Sequence, residues 1–260
     1  MKNILKLTLP AVLFTLISGA VSAQQRVVEE SIVYDDPTVA RPGKWIFGAA
    51  IGGYYSNSNS SVSNSSGTEI PVTQQYAQPR AGIWAGYGDL SILFGYSKVK
   101  STLGIPGNSK QEDGDIFSAD LRYLVMPLSM KYFVPYVLGS YVQSDSTSTF
   151  SYVNSNGVRQ TGTNKANGPG LGLGGIIPIS EKYGLRVDAR EYSLKTTGRS
   201  NLFSNLNSDA DIRFREYTAA AYYNITENIN IQIGGTSSYV VDRALTSSYG
   251  FNALIGYTFH

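Results

Sequence analysis

The chain has 260 residues, of which 42% are hydrophobic and 15% charged, with 27 glycines, 19 tyrosines and no cysteine. Its formal charge is only +2, with no basic tract, which excludes an electrostatic nucleic-acid surface. Without cysteine there is no disulfide framework, so the fold must close by hydrogen bonding and packing.

Residues Met1 to Ala23 read as a cleaved secretory signal, with Lys2 and Lys6 at a basic start and an apolar run from Leu7 to Ile17. Val21-Ser22-Ala23 forms a small-residue cleavage site. The run is too short for a membrane-spanning helix, and no later segment approaches about 18 consecutive apolar residues. Cleavage removes two lysines and no acids, leaving 19 basic and 19 acidic residues. Residues 24–43 show no periodicity. They carry Glu29, Glu30, Asp35 and Asp36 and end in Arg41-Pro42-Gly43, which predicts an extended N-terminal arm.

From Lys44 onward the chain alternates. Trp45, Phe47, Ala49, Ile51, Gly53 and Tyr55 share one face of a first strand, against Ile46, Gly48, Ala50 and Gly52. Ser56–Gln75 is almost pure Ser, Asn, Thr and Gln and reads as a long solvated loop. A second strand sets Ala77, Pro79, Ala81, Ile83, Ala85 and Tyr87 against Gln78, Arg80, Gly82 and Trp84. Gly88-Asp89 turns tightly. A third strand presents Leu90, Ile92, Phe94 and Tyr96. Lys98–Asp113 is a second polar loop. A fourth strand alternates Phe117, Ala119, Leu121, Tyr123 and Val125 against Ser118, Asp120 and Arg122.

A fifth strand, Phe133 to Gln143, has two mixed faces and no assignable polarity, and Ser144–Ala166 is a third loop. In the sixth strand Leu171, Leu173, Ile177 and Ile179 oppose Gly170, Gly172 and Gly174. The seventh sets Leu185, Val187 and Ala189 against Arg186, Asp188 and Arg190, and Thr196–Asp211 is a fourth loop. The eighth opposes Tyr217, Ala219, Ala221, Tyr223 and Ile225 to Glu216, Thr218, Ala220, Tyr222 and Asn224. The ninth opposes Ile229, Ile231 and Ile233 to Asn230, Gln232 and Gly234. The last strand carries Tyr249, Phe251, Ala253, Ile255, Tyr257 and Phe259 on one face, with aromatics at both tips and only His260 after it.

The pattern predicts an all-β fold: an antiparallel up-and-down barrel of about ten strands, with eight or twelve as alternatives. Short turns at one end and long loops at the other suit a transmembrane barrel. A soluble sandwich makes the same alternation. Against it stand tyrosine or tryptophan near strand ends on nearly every apolar face, where a membrane interface places them. The glycine-rich dyad strands, with Val134-Pro135-Tyr136-Val137 and Gly170-Leu171-Gly172-Leu173-Gly174, resemble the small bacterial outer-membrane barrel superfamily that includes OmpA and OmpX. The final strand is similar to its C-terminal strands, although here Phe259 is penultimate. The resemblance implies a barrel over 44–260 in the outer membrane of a Gram-negative cell and a periplasmic arm at 24–43. It also implies assembly through Tyr249, Phe251, Ile255, Tyr257 and Phe259 by the barrel-assembly machinery.

Arg80, Asp120, Arg122, Arg186, Asp188, Arg190 and Glu216 each oppose an apolar face. Arginine on lipid near the midplane costs roughly 2–4 kcal/mol, so these charges are expected to face a narrow lumen and pair there as a ladder. The arginines exceed the acids by one, which motivates a variant of the arm in which its acids enter the barrel. Glu191, Arg213 and Arg215 fall on the outward face near the long loops, where they can pair or meet lipopolysaccharide phosphates.

No catalytic or cofactor-binding set is found. The one histidine is terminal, so a His-dependent mechanism like that of the omptin proteases, which ten strands also resemble, has no base. The glycine run at 170–175 continues into strand rather than helix and reads as lumen lining, not a nucleotide loop. Asp113 with Asp115, and Asp209 with Asp211, read as hydrated loop acids rather than a metal site. The expected role is structural or surface-interacting, with a largely filled lumen, the loops as candidate sites for an extracellular ligand, no enzymatic activity and a monomeric state. The alternative is a narrow channel for small anions.

Overall fold

The computed structural model describes residues 36–39, 44–63, 69–105, 108–129, 132–153, 157–201, 208–241 and 247–259. The signal reading of 1–23, most of the arm including Glu29, Glu30 and Asp35, and His260 lie outside the described residues. The strands are β1 Trp45–Ser63, β2 Glu69–Tyr87, β3 Leu90–Ile105, β4 Asn108–Leu124 and β5 Val134–Val153. They continue as β6 Arg159–Pro178, β7 Tyr183–Ser200, β8 Ser208–Asn224, β9 Ile229–Val240 and β10 Ser247–Phe259. Each pairs antiparallel with its chain neighbours, and β1 closes on β10 from Phe47↔Phe259 to Asn59↔Ser247, so the barrel has no free edge.

The faces follow from the alternation. Trp45, Ile51, Ile83, Leu121, Leu171 and Ile255 point outward and lie open, Leu171 at 76% exposure. Exposed aromatics gather in two rings. Trp45, Tyr87, Tyr123, Tyr183, Tyr223 and Phe259 stand at the end with the short turns; Tyr55, Tyr96, Phe117, Tyr141, Tyr217 and Tyr249 stand nearer the long hairpins. Ten residue steps separate Trp45 from Tyr55. At about 3.3 Å per residue and a tilt near 40° they rise about 25 Å along the axis, the height of an outer-membrane barrel's apolar band. Tyr249, Phe251, Ile255, Tyr257 and Phe259 all face outward on the closing strand.

Three readings are corrected. The four polar "loops" are mostly strand: β1 and β2 stay paired to Ser63↔Glu69, β3 and β4 to Ile105↔Asn108, β5 and β6 to Val153↔Arg159, and β7 and β8 to Gly198↔Ser208. Where the extensions' side chains are described, the inner face is small and largely polar, with Ser101, Ser146 and Ser148 buried, so the ladder continues while the hydrophobic alternation stops. β5 does have a polarity, with Val134, Tyr136, Leu138 and Ser140 buried and Tyr141 exposed outward. Val125, expected on the outer face, follows the end of β4 and is buried, its N–H donating to the Pro135 carbonyl as the chain enters a 3-10 turn at Met126–Leu128.

At the turn end the lumen is packed. Val39, Leu124, Val134, Tyr136, Leu138, Ile176 and Tyr222 form one buried cluster. Ile46, Ala50 and Trp84 form another, with Leu93 and Leu254 against it. Gly174 leaves room for the Tyr136 ring and Gly170 for the Tyr192 ring, since a Cβ at either would overlap the ring. The 170–175 run is therefore lumen wall.

Candidate functional site in the barrel lumen

The strands bring all the predicted lumen charges inside. Arg186, Asp188 and Arg190 follow one another along the inner face of β7. Asp120 and Arg122 stand on β4, Glu216 on β8 and Arg80 on β2. Arg190 is the hub: its Nε donates to Asp188 Oδ1 at 2.6 Å and its Nη1 to Asp120 Oδ2 at 2.8 Å. Glu216 is its direct partner across the β7–β8 ladder. Asp188 also accepts from the Tyr136 hydroxyl at 3.3 Å.

The second layer is built by a segment outside the barrel wall. Asp36, Pro37, Thr38 and Val39 are buried in the turn end of the lumen. Asp36 folds into a local turn, its Oδ1 accepting from the Thr38 N–H at 2.9 Å and the Thr38 hydroxyl at 2.6 Å. Arg186 pairs with Asp36 Oδ2 at 3.3 Å, and its Nη2 donates to Gln232 Oε1 at 2.9 Å. Arg122 donates to Thr38 Oγ1 at 2.7 Å and stacks over the Tyr136 ring at 4.8 Å. The Thr258 hydroxyl donates to the Pro37 carbonyl at 3.2 Å, while Val39 joins the apolar cluster beneath. The arm thus enters the barrel, and Asp36 supplies the fourth carboxylate against four arginines.

The ladder is not wholly a set of ion pairs. Arg122 is met by a hydroxyl and a ring. Arg80 lies over the Tyr54 ring, 4.4 Å from its centroid. Thr38, Gln232, Tyr54 and Tyr136 were missed because neutral hydroxyls, amides and rings look alike in sequence whether they serve charges or fill space. Asp36 had a signal, the surplus of one arginine over the acids on the inner faces.

On the outer face Glu191, Arg213 and Arg215 do converge. Arg215 donates to Glu191 Oε2 at 2.5 Å and to the Tyr239 hydroxyl at 3.2 Å, and Arg213 stands 3.9 Å from Glu191. Tyr217 stacks on Tyr239 at 6.2 Å. Above the aromatic ring the hairpins carry further pairs: Lys98 bridges Asp113 and Asp115, Lys165 meets Asp145, and Arg199 meets Asp209. Arg199 holds the Asp209 carboxyl below its ordinary value by hydrogen bonding.

The chain matches no protein-family model and no curated protein. Among solved structures it is similar to the outer-membrane protease OmpT of Escherichia coli, with a TM-score of 0.52 and 11% identity over 84% of this chain and 97% of that one. It is also similar to the translocator domain of the autotransporter NalP of Neisseria meningitidis, with a TM-score of 0.50 and 12% identity over 84% and 90% of the two chains. At such identities the likeness is one of fold. Fold and lumen together define a closed, ten-stranded antiparallel barrel with buried, partly ion-paired charges inside.

Proposed function

We propose that the chain is an outer-membrane barrel that acts through its projecting hairpins, with a lumen sealed at the periplasmic end. The observation carrying this is the packing there: Val39, Leu124, Val134, Tyr136, Leu138, Ile176 and Tyr222 form one buried cluster, and Asp36 and Thr38 lie against Arg186 and Arg122. The two aromatic rings and the apolar band between them support the membrane placement, with lipid against the band. Lipopolysaccharide phosphates are the expected partners of Arg213 and Arg215, which stand together on the outer face near the long hairpins. Export by a cleaved signal and assembly through β10 complete the reading. The likeness to a protease is one of fold and carries no activity here.

The test is twofold. In planar bilayers the refolded barrel is expected to give no reproducible open step. Replacing the tips of the β1–β2, β5–β6 and β7–β8 hairpins by short turns is expected to leave a folded, heat-modifiable barrel that no longer binds host or bacterial surfaces. A steady anion-selective step would favour the second reading, a narrow anion channel, which draws support from four arginines lining the space above the seal.

A further inference from the structure

The hairpin side of the lumen holds a cavity that the charge network does not use up. Its volume is about 590 Å³, within the roughly 300–1,000 Å³ typical of small-molecule sites. Its upper wall carries a group of apolar side chains, Ile116, Val142, Leu194, Phe214 and Val240, among serines such as Ser97, Ser144, Ser238 and Ser248. Alternation puts them there, since Leu194 lies four residues beyond Arg190 on β7 and Phe214 two residues from Glu216 on β8. A water-filled barrel interior is polar. Five large apolar side chains facing the lumen are better matched by a hydrocarbon body than by water.

Beneath these side chains, polar atoms of both kinds stand without partners. Gln78 Oε1, Arg80 Nε and Asp120 Oδ1 are buried and make no hydrogen bond, and Gln78 is only 8% exposed. All three side chains line the cavity, as does Glu216, which lies within electrostatic reach of both Arg80 and Arg190. A buried unpaired donor or acceptor costs about 1–3 kcal/mol. One donor and two acceptors lie unpaired in the wall of the same space, beside the Glu216 carboxylate, which calls for a ligand with both an anionic and a cationic end.

We propose that this cavity binds a small zwitterion with an apolar body, the chemistry of an α-amino acid with a hydrocarbon side chain. Its carboxylate meets Arg80, its ammonium lies between Glu216 and Asp120, and its side chain rests on Phe214, Leu194 and Val240. The site is independent of what the hairpins bind and of whether the lumen conducts.

The chain has two tryptophans. Trp84 lines the cavity, whereas Trp45 faces outward at 59% exposure. In a Trp45→Phe background Trp84 is the sole reporter. Titrating this barrel in micelles with L-phenylalanine is expected to give a saturable change in Trp84 emission. The anion 3-phenylpropionate and the cation 2-phenylethylamine should each bind roughly tenfold more weakly, as each forgoes one charged hydrogen bond. Arg80→Gln and Glu216→Gln should weaken L-phenylalanine by a similar factor. Thr236→Phe, which fills the cavity without touching a charge, should abolish the signal in a barrel that still shows heat-modifiable migration. A linear, unsaturating response would overturn the proposal. So would a singly charged analogue that binds as well as the zwitterion, or saturation unchanged in Thr236→Phe.

Discussion

β7 crosses two environments within 18 residues and places an arginine in each. Arg190, near its middle, has a side chain 13% exposed and pairs with Asp188, itself 2% exposed, and with Asp120. Arg199, near its far end, is 46% exposed and pairs with an Asp209 that is 68% exposed. The contact distances are alike, 2.6 and 2.8 Å below and 2.9 Å above. What differs is the solvent that each pair displaces. Below, water is excluded and either partner without the other is a stranded charge. Above, water can replace either.

The sharpest way to break the comparison is to remove the buried hub. Arg190→Ala strands two buried carboxylates, and breaking a buried pair typically costs about 3–5 kcal/mol. Urea unfolding of the barrel in lipid vesicles should show this loss. Arg190→Met, which fills the space but not the charge, should recover little, and full recovery would mean that packing rather than charge sets the value.

A second probe asks whether the outer band is lipid-facing. Ala119→Arg places a charge between the two aromatic rings on β4, inside the apolar band, at an expected cost of roughly 2–4 kcal/mol. Thr147→Arg, on the extended part of the same hairpin region, should fall within about 0.5 kcal/mol of the parent, as surface changes usually do. Equal effects at the two sites would mean that the band is not in lipid.

The arm supplies a third probe. Asp36→Asn keeps the local turn but takes the charge from Arg186, and hydrogen bonds to charged groups are worth about 1.5–3 kcal/mol. The same variant leaves the lumen with four arginines against three acids, so any conductance it gains should prefer anions. A variant as stable and as silent in bilayers as the parent would reduce Asp36 to a passenger.

How much of this was legible in sequence follows the same contrast. Wherever the apolar outer band lies on one side and the lumen on the other, the alternation reports the face: Arg186, Asp188 and Arg190 against Leu185, Val187 and Ala189 leave one arrangement open. Past Tyr55, Tyr96, Gln143 and Thr196 even buried inner positions are mostly serine, as at Ser56, Ser97, Ser101, Ser146 and Ser148, and composition alone reads as loop although the backbone remains paired. β5 was opaque for the opposite reason. Its inner face carries Val134, Tyr136 and Leu138, which are buried because they cap the turn end of the lumen, so both faces there are apolar. The site was half legible. Charges on inner faces announce themselves, but their neutral partners do not. That Arg122 would rest on Thr38, 84 residues away in the chain, depends on where the arm threads, which no local pattern records.

The smallest expected effect sharpens the upper half of the comparison. Arg199 holds the Asp209 carboxyl below its usual value, the hydrogen bond from Arg199 being the leading cause, and both groups are open to water. A depressed carboxyl stabilises the fold above the unfolded-state value and loses that contribution as pH falls through the folded one. Exposure and salt screening leave little of it in stability. Arg199→Ala should therefore raise the Asp209 midpoint toward an ordinary aspartate in a carboxyl-detected NMR titration, while the unfolding curve at neutral pH stays put. If that substitution instead unfolded the barrel as Arg190→Ala is expected to, the hairpin pair would not be solvated. The distinction between the two ends of β7 would then fail at the residue chosen to represent it.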